Sequence, residues 1–118
     1  ITYGAMVQRA IEAARELESE CDIEIVDLRT IRPYDFDLVA QSVKKTGRVL
    51  VLHEDSRFMG FGAELAAEIS EKCFSDLDAP VTRLAGAEAP IPYASNLEEQ
   101  VLPQAAGIRA AVLSLLAY

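Results

Sequence analysis

The sequence predicts an α/β fold, specifically a three-layer α/β/α sandwich with a mostly parallel sheet. Short runs that contain Val, Ile and Leu alternate with segments of helical periodicity, which is the pattern of successive βαβ units. Residues 49–52 form a continuous apolar run, as expected of a strand buried on both faces in the centre of a parallel sheet. The 118 residues suit one hydrophobic core. We therefore expect a single domain over residues 1–118.

The first strand, the first helix and the second strand are predicted within residues 1–28. Residues 1–3 have the composition of the end of a strand, and residues 6–17 have apolar side chains at helical spacing. These apolar positions are Met6, Ala10, Ala13, Ala14 and Leu17. Residues 23–28 are rich in Ile and Val and predict the second strand.

A second helix is predicted before the apolar run at residues 49–52. Either Asp35 or Asp37 can cap its first turn. Gly47 is placed to close it, because glycine readily adopts the left-handed conformation that ends many helices. Residues 49–52 are then the third strand.

The last third of the chain predicts a helix, a strand, a loop and a final helix. Gly60 and Gly62 flank the turn into the third helix. Its expected buried stripe is Phe61, Leu65, Ala66 and Ile69. Residues 81–85 predict the fourth strand, and residues 86–96, with two prolines, predict an irregular surface loop. The inner face of the final helix is expected at Ile108, Ala111, Val112, Leu115 and Leu116.

Composition narrows the classes of partner. Lys and Arg number 11 against 19 Asp and Glu, a net charge of −8, so nucleic acid is not an expected partner. The excess of acid fits either a basic protein partner or simple solubility. No apolar run is long enough to span a bilayer, so no membrane partner is expected.

Cys21 and Cys73 form no CxxC pair and make no ordinary zinc site with the single histidine. They predict a reducing compartment, the cytoplasm or, in a eukaryote, the mitochondrial matrix.

The residues at the ends of the first and third strands suggest the one candidate acid–base site in the sequence. In an open parallel sheet, ligands bind beyond the carboxyl ends of strands where the strand order reverses. Tyr3-Gly4 and His53-Glu54-Asp55 are expected to lie side by side at such a point. No nucleophile stands nearby in an activating motif. A polar strand end is therefore the favoured interpretation, and no catalytic residue is predicted.

Nucleotide and metal binding have still less support. Gly60-Phe61-Gly62 before a helix resembles half of a phosphate-binding loop, but it lacks the third glycine of GxGxxG and the lysine of a P-loop. A tight turn explains the two glycines. We therefore predict no cofactor-binding and no metal-binding residue in this chain.

Six segments nevertheless resemble one family in order and spacing. They are TYGAM at residues 2–6, DLRTIRP at 27–33 with Asp35 following, SVKKTGR at 42–48, HE at 53–54 with GFGAE at 60–64, LDAPV at 77–81 and PIPY at 90–93. Together they cover nearly the whole chain. The chain resembles the transketolase C-terminal-like domain in the β subunit of thiamine-diphosphate-dependent 2-oxo acid dehydrogenases. His53-Glu54 and residues 71–74 are slightly more similar to the branched-chain (2-oxoisovalerate) type than to the pyruvate type.

The resemblance implies a role in assembly instead of chemistry. In this family, α and β subunits form an α2β2 heterotetramer that holds thiamine diphosphate and magnesium between other domains. The C-terminal domain packs against its own N-terminal β domain, a second β subunit and α subunits, and it docks the subunit-binding domain of the dihydrolipoyl acyltransferase. The chain is then expected to be part of a longer β subunit and to bind no cofactor itself.

The resemblance also implies two partner-binding residues. Asp78 stands at the acidic position of the LDAP segment, and Tyr118 stands at the C-terminal end; both are expected to contact the basic acyltransferase domain. Asp78 can alternatively cap the turn before Pro80. Two other functions remain open: the C-terminal domain of another transketolase-superfamily enzyme, and a stand-alone anion-binding module that uses Tyr3-Gly4, His53 and the helix start at Gly62.

Overall fold

Four parallel segments make the sheet in this computed structural model, which describes residues 1–118. Two are regular strands, β1 (Leu50–Ser56) and β2 (Thr82–Gly86), and their register pairs Leu50 with Thr82. The helices are α1 (Met6–Glu16), α2 (Phe36–Thr46), α3 (Phe61–Lys72), α4 (Ser95–Val101) and α5 (Ala105–Leu116), with a short 3-10 helix at Phe74–Asp76.

Residues 1–3 occupy the centre of the sheet. Thr2 forms parallel bridges to Asp27 on one side and to Leu52 on the other. Its N–H donates to the carbonyl of Val26 at 2.9 Å, and the N–H of Leu52 donates to the carbonyl of Ile1 at 2.9 Å. The spatial order is therefore residues 26–28, residues 1–3, β1 and β2. The order along the sheet reverses between residues 1–3 and β1, as the sequence predicts.

The sheet is flanked by helices on both faces, which confirms the predicted three-layer architecture. On one face, α2 and α3 cover a core that includes Val51 and Leu65. On the other, α1 and α5 cover a core that includes Leu52 and Ile108. Successive β1 residues thus point into opposite cores, which explains the unbroken apolar run at residues 49–52.

Three elements differ from the sequence prediction. Only residues 26–28 of the predicted strand 23–28 pair with a neighbour, and that neighbour is Thr2. The strand β1 is longer than predicted and includes His53-Glu54-Asp55, because β2 continues alongside it to Gly86. The helix α4 was not predicted; it has no buried residue and therefore no apolar stripe in the sequence.

The structure decides between the two possible caps of α2. The Asp35 carboxylate accepts a hydrogen bond from the N–H of Leu38 at 3.0 Å, whereas Asp37 lies in the first turn. Gly47 ends the helix with φ +66°, as predicted. The longest helices, α3 and α5, have 12 residues, and no helix has the length and hydropathy that crossing a membrane requires.

Substitution of the cap should cost more stability than substitution of its neighbour. We expect Asp35→Ala to lower the free energy of unfolding by about 1 kcal/mol, because an amide loses its acceptor. Asp37→Ala should cost about 0.5 kcal/mol, since it removes only a favourable charge near the helix N-terminus. Urea denaturation of the two variants measures the difference, and equal losses would contradict the assignment of Asp35 as the cap.

Candidate functional site

Tyr3 and His53 meet at the carboxyl edge of the sheet, where the strand order reverses. Their rings lie 6.2 Å apart between centroids and 9° from parallel. Phe61, the first residue of α3, packs edge-on against Tyr3 at 5.8 Å. The sequence therefore predicted correctly which side chains come together here.

His53 is fully buried, and neither of its ring nitrogens has a hydrogen-bond partner within the protein. Burial lowers the pKa of His53, and the positive charge of Arg83 lowers it further, against the opposing effect of the Asp55 carboxylate. The imidazole is therefore neutral at neutral pH. A buried neutral ring stacked on a phenol acts as part of the core instead of as an exposed acid or base.

Close packing on this ring and beside it explains the two glycines before and within α3. A Cβ at Gly62 would overlap the Nε2 atom of His53, and a Cβ at Gly60 would meet the carbonyl oxygen of Ser56. The first turn of α3 thus packs directly on the imidazole. A phosphate cannot occupy that space, because the His53 ring fills it.

The open pocket beside this edge is acidic. Its volume is about 440 Å³, and its ionisable lining residues are Glu54, Asp55 and Glu88, with no Lys, Arg or His. Desolvation by burial and then the charges of Asp55 and Glu54 raise the pKa of Tyr3, so its phenol stays protonated. Three carboxylates and no cation repel an anion. The geometry therefore does not support the anion-binding module that the sequence left open.

Asp78 lies at the opposite, amino edge of the sheet. Its N–H donates to the carbonyl of Gly47 at 2.7 Å, and its carboxylate stands 3.6 Å from the Nη1 atom of Arg48. The Asp78 side chain remains 67% exposed, and no backbone N–H donates to it. The structure thus shows a loose ion pair with Arg48 in place of the turn cap that the sequence offered as an alternative.

Tyr118 lies at the same edge and is 71% exposed. It follows α5, whose last residues Leu115 and Leu116 line a groove together with Arg48. Arg48 pairs in turn with Asp78. The two predicted partner-binding residues therefore share one end of the molecule, although nothing in the sequence spacing of 40 residues indicates this.

The sequence did not predict two surface features of the structure. The groove at the amino edge has mostly apolar walls, which come from segments far apart in the chain. Phe58 and Met59, between β1 and α3, are 71% and 85% exposed. Adjacent bulky apolar residues just before a glycine turn were the available signal for this second feature.

Comparison with known proteins gives a family match over most of the chain. Residues 1–108 match the family described as transketolase, C-terminal domain. The chain is 44% identical over 113 residues to the pyruvate dehydrogenase E1 component subunit beta of Rhizobium meliloti (strain 1021), which covers 95% of this chain and 25% of that protein. It is 45% identical over 105 residues to the 3-methyl-2-oxobutanoate dehydrogenase subunit beta of Mycobacterium tuberculosis (strain CDC 1551 / Oshkosh), which covers 87% of this chain and 30% of that protein.

A solved structure gives the same fold. It is described as "Split gene transketolase, inactive beta4 tetramer" and superposes with a TM-score of 0.78 at 28% identity, over 98% of this chain and 38% of that chain. The chain spans about a quarter to two fifths of the length of these proteins. The matches confirm the predicted resemblance and fold class, while the similar identities to the two curated relatives do not separate pyruvate from branched-chain types.

The packing of α3 on His53 can be tested with a pair of glycine substitutions. We expect Gly62→Ala to destabilise the protein by about 1–2 kcal/mol, because overpacking in the core outweighs the gain in helix propensity. Gly107→Ala in α5 is the matched control, since a Cβ there meets no atom within 4 Å. It should stabilise the protein by about 0.5 kcal/mol. Thermal unfolding measures both, and a tolerated Gly62→Ala would contradict the close packing.

Burial of neutral His53 should make stability depend on pH. An unfolded histidine titrates at about 6.5, and the lowered pKa in the folded state means that the unfolded chain binds the proton first. Stability is therefore lost as the pH falls through and below that value. His53→Gln should show a smaller loss between pH 7.5 and 5.5 in denaturant titrations. All other titrating groups are common to both proteins, so the difference isolates His53. An unchanged pH dependence would show that His53 does not contribute.

Proposed function

Because the chain belongs to the transketolase C-terminal domain family, we propose that it is the assembly and partner-docking domain of the β subunit of a 2-oxo acid dehydrogenase. The observation that carries the proposal is identity of 44–45% with two such β subunits over 87–95% of the chain. The whole enzyme is proposed to use thiamine diphosphate and magnesium and to decarboxylate a branched-chain 2-oxo acid or pyruvate oxidatively. His53-Glu54 and residues 71–74 favour the branched-chain type.

The residues of this domain do not fit the cofactor or its metal. No group of three or more His, Cys, Asp or Glu side chains is placed to hold a metal ion. The pocket at the carboxyl edge presents Glu54, Asp55 and Glu88, which would repel a diphosphate. No catalytic step is therefore assigned to this chain, and the cofactor is proposed to lie in other domains of the enzyme.

Subunit contacts are proposed at the carboxyl edge. Phe58 and Met59 expose adjacent apolar side chains there, and exposed apolar surface of this kind marks protein interfaces. The partners proposed are the subunit's own N-terminal domain, a second β subunit and α subunits. The related solved structure, described as a β4 tetramer, supports association between β chains.

The two free cysteines are consistent with a reducing compartment, the cytoplasm or the mitochondrial matrix.

Docking of the acyltransferase is proposed at the amino edge, through Asp78 and Tyr118. Both side chains are mostly exposed, and the net charge of −8 favours a basic partner. The ion pair of Asp78 with Arg48 is 3.6 Å long and open to solvent, so it contributes little by itself. An arginine of the partner can therefore replace Arg48 at the carboxylate at small cost and form a shorter, charge-assisted hydrogen bond.

The docking proposal predicts a defined loss of affinity. In the whole heterotetramer, Asp78→Ala should weaken binding of the isolated subunit-binding domain of the acyltransferase by about tenfold at low salt, with a smaller effect at high salt. Tyr118→Ala should also weaken binding. Titration calorimetry at two ionic strengths measures both effects.

A charge-matched variant keeps this test specific. Glu99→Ala removes the same charge from α4, which follows the carboxyl end of β2, and Glu99 is exposed and makes no ion pair with Lys or Arg. It should leave the affinity within about twofold of the unsubstituted protein, because its charge lies at the opposite edge of the sheet from Asp78, where salt screens it from the docking surface. Equal effects of Asp78→Ala and Glu99→Ala would mean that Asp78 acts only through net charge. An unchanged affinity for Asp78→Ala would refute the docking site.

A further inference from the structure

We infer that His53 is a pH-sensitive conformational switch: the neutral ring supports the first turn of α3 and the turn at residues 57–60, whereas the protonated ring moves toward Asp55 and releases both. The switch is a property of this chain alone. One consequence rests on the proposed function, namely that the contact surface at Phe58 and Met59 becomes sensitive to pH.

Close packing holds the neutral ring in place. His53 is fully buried, and Tyr3 stacks on it with 6.2 Å between the ring centroids. The first turn of α3 lies directly on the ring, because a Cβ at Gly62 would overlap its Nε2 atom. Neither ring nitrogen has a hydrogen-bond partner, so a proton added there would create a buried charge that nothing in this position compensates. The packing therefore accommodates only the neutral form.

The groups that face the ring from other elements do not favour its protonation. Burial lowers the pKa of His53, and the guanidinium of Arg83 in β2 lowers it further. The N-terminus of α3 presents the positive end of the helix dipole. Tyr3 is an uncharged phenol, and Glu64, the acidic residue in the first turn of α3, is exposed to solvent. An imidazolium in the core therefore has no stabilising partner on these elements.

Asp55 offers the protonated ring a partner outside the core. Its carboxylate Oδ2 and the Cε1 atom of His53 each stand 3.1 Å from the point where a Cβ of Gly60 would lie, so both groups meet at that glycine. The Asp55 carboxylate favours the charged form of the ring and raises its pKa against the effect of burial. Asp55 also lines the open pocket with Glu54 and Glu88, where no cation stands among them. The imidazolium gains a carboxylate by moving there, whereas the neutral ring gains nothing.

The turn at residues 57–60 depends on the packing that this movement would remove. Met59 has φ +59°, a strained backbone conformation for a side chain of its size. The turn leads directly into α3 and is held from β2 by one exposed hydrogen bond, in which Arg83 donates to the carbonyl of Arg57 at 2.9 Å. Strained conformations persist only where the surrounding structure enforces them. Once the ring no longer supports α3, the turn relaxes and moves Phe58 and Met59.

Backbone NMR of the 118-residue chain tests the switch. The Cα resonance of Met59 reports its left-handed φ, and it should shift toward the value of an unstrained residue as the pH falls from about 7.5 to 5.5, across the ordinary histidine pKa of about 6.5. The amides of residues 61–63 should shift with it. Met6, buried in the α1–α5 core on the other face of the sheet, should not shift. His53→Gln should abolish the Met59 response, because glutamine has no proton to gain.

A pair of charge-matched variants tests the role of Asp55. In Asp55→Asn the Met59 shift should fall to less than about half, because the imidazolium loses the carboxylate that stabilises its released position. The asparagine oxygen can still accept the hydrogen bond that Asp55 receives from the N–H of Ser56, so the local backbone is preserved. Glu88→Gln removes the same charge from the same pocket but not from beside the ring, and it should leave the shift unchanged.

Each other result decides against the switch. A Met59 resonance that stays fixed, or that moves equally in His53→Gln, overturns the inference. An equal response at Met6 would show general loosening and overturns it too, as does a full response in Asp55→Asn. If His53→Gln fails to fold, the comparison of Asp55→Asn with Glu88→Gln decides alone. No partner subunit is present in these measurements, so the proposed assembly role can fail while the switch holds, and the reverse.

Discussion

The pairing of Thr2 with chain segments on both of its sides is the constraint on which the rest of the fold depends. Three backbone hydrogen bonds join the two halves of the sheet through residues 1–3: Thr2 donates to Val26 and accepts from Leu28, and Ile1 accepts from Leu52. Without them, residues 26–28 would have no sheet neighbour, and β1 would form only a two-stranded ribbon with β2. A ribbon of that size is marginally stable in water. The same pairing creates the reversal of strand order that brings Tyr3 beside His53.

His53 then determines what the carboxyl edge can do. In open α/β sheets this edge is the usual ligand site, because helix N-termini and strand ends converge there. Here the imidazole fills the space beneath α3 that a phosphate would use, and the glycines at positions 60 and 62 allow the helix to close over it. The remaining open surface is lined by carboxylates. The edge is thus occupied by packing, which is consistent with the contacts between chains that are proposed there.

The sequence predicted what depends on local pattern and missed what depends on strand length and burial. Period and glycine placement located α2 and α3, and the reversal rule placed Tyr3 near His53. The sequence alone does not decide whether Asp35 or Asp37 caps α2, since both are aspartates and cap equally well. The sequence predicts a polar strand end at His53, because residue type does not reveal that this side chain is buried. The sequence does not reveal the groove, because its walls come from segments that are far apart in the chain.

The two edges of the sheet differ in what their open surface offers to another chain. At the carboxyl edge, the His53 ring and the glycine turns fill the space between elements, and the exposed surface presents three carboxylates beside the apolar side chains of Phe58 and Met59. At the amino edge, Asp78 is mostly exposed and its carboxylate has only a 3.6 Å ion pair with Arg48. An exposed carboxylate with a weak internal partner can exchange that partner for an arginine of another chain at small cost. This difference is why a basic partner is proposed at the amino edge and subunit contacts at the carboxyl edge.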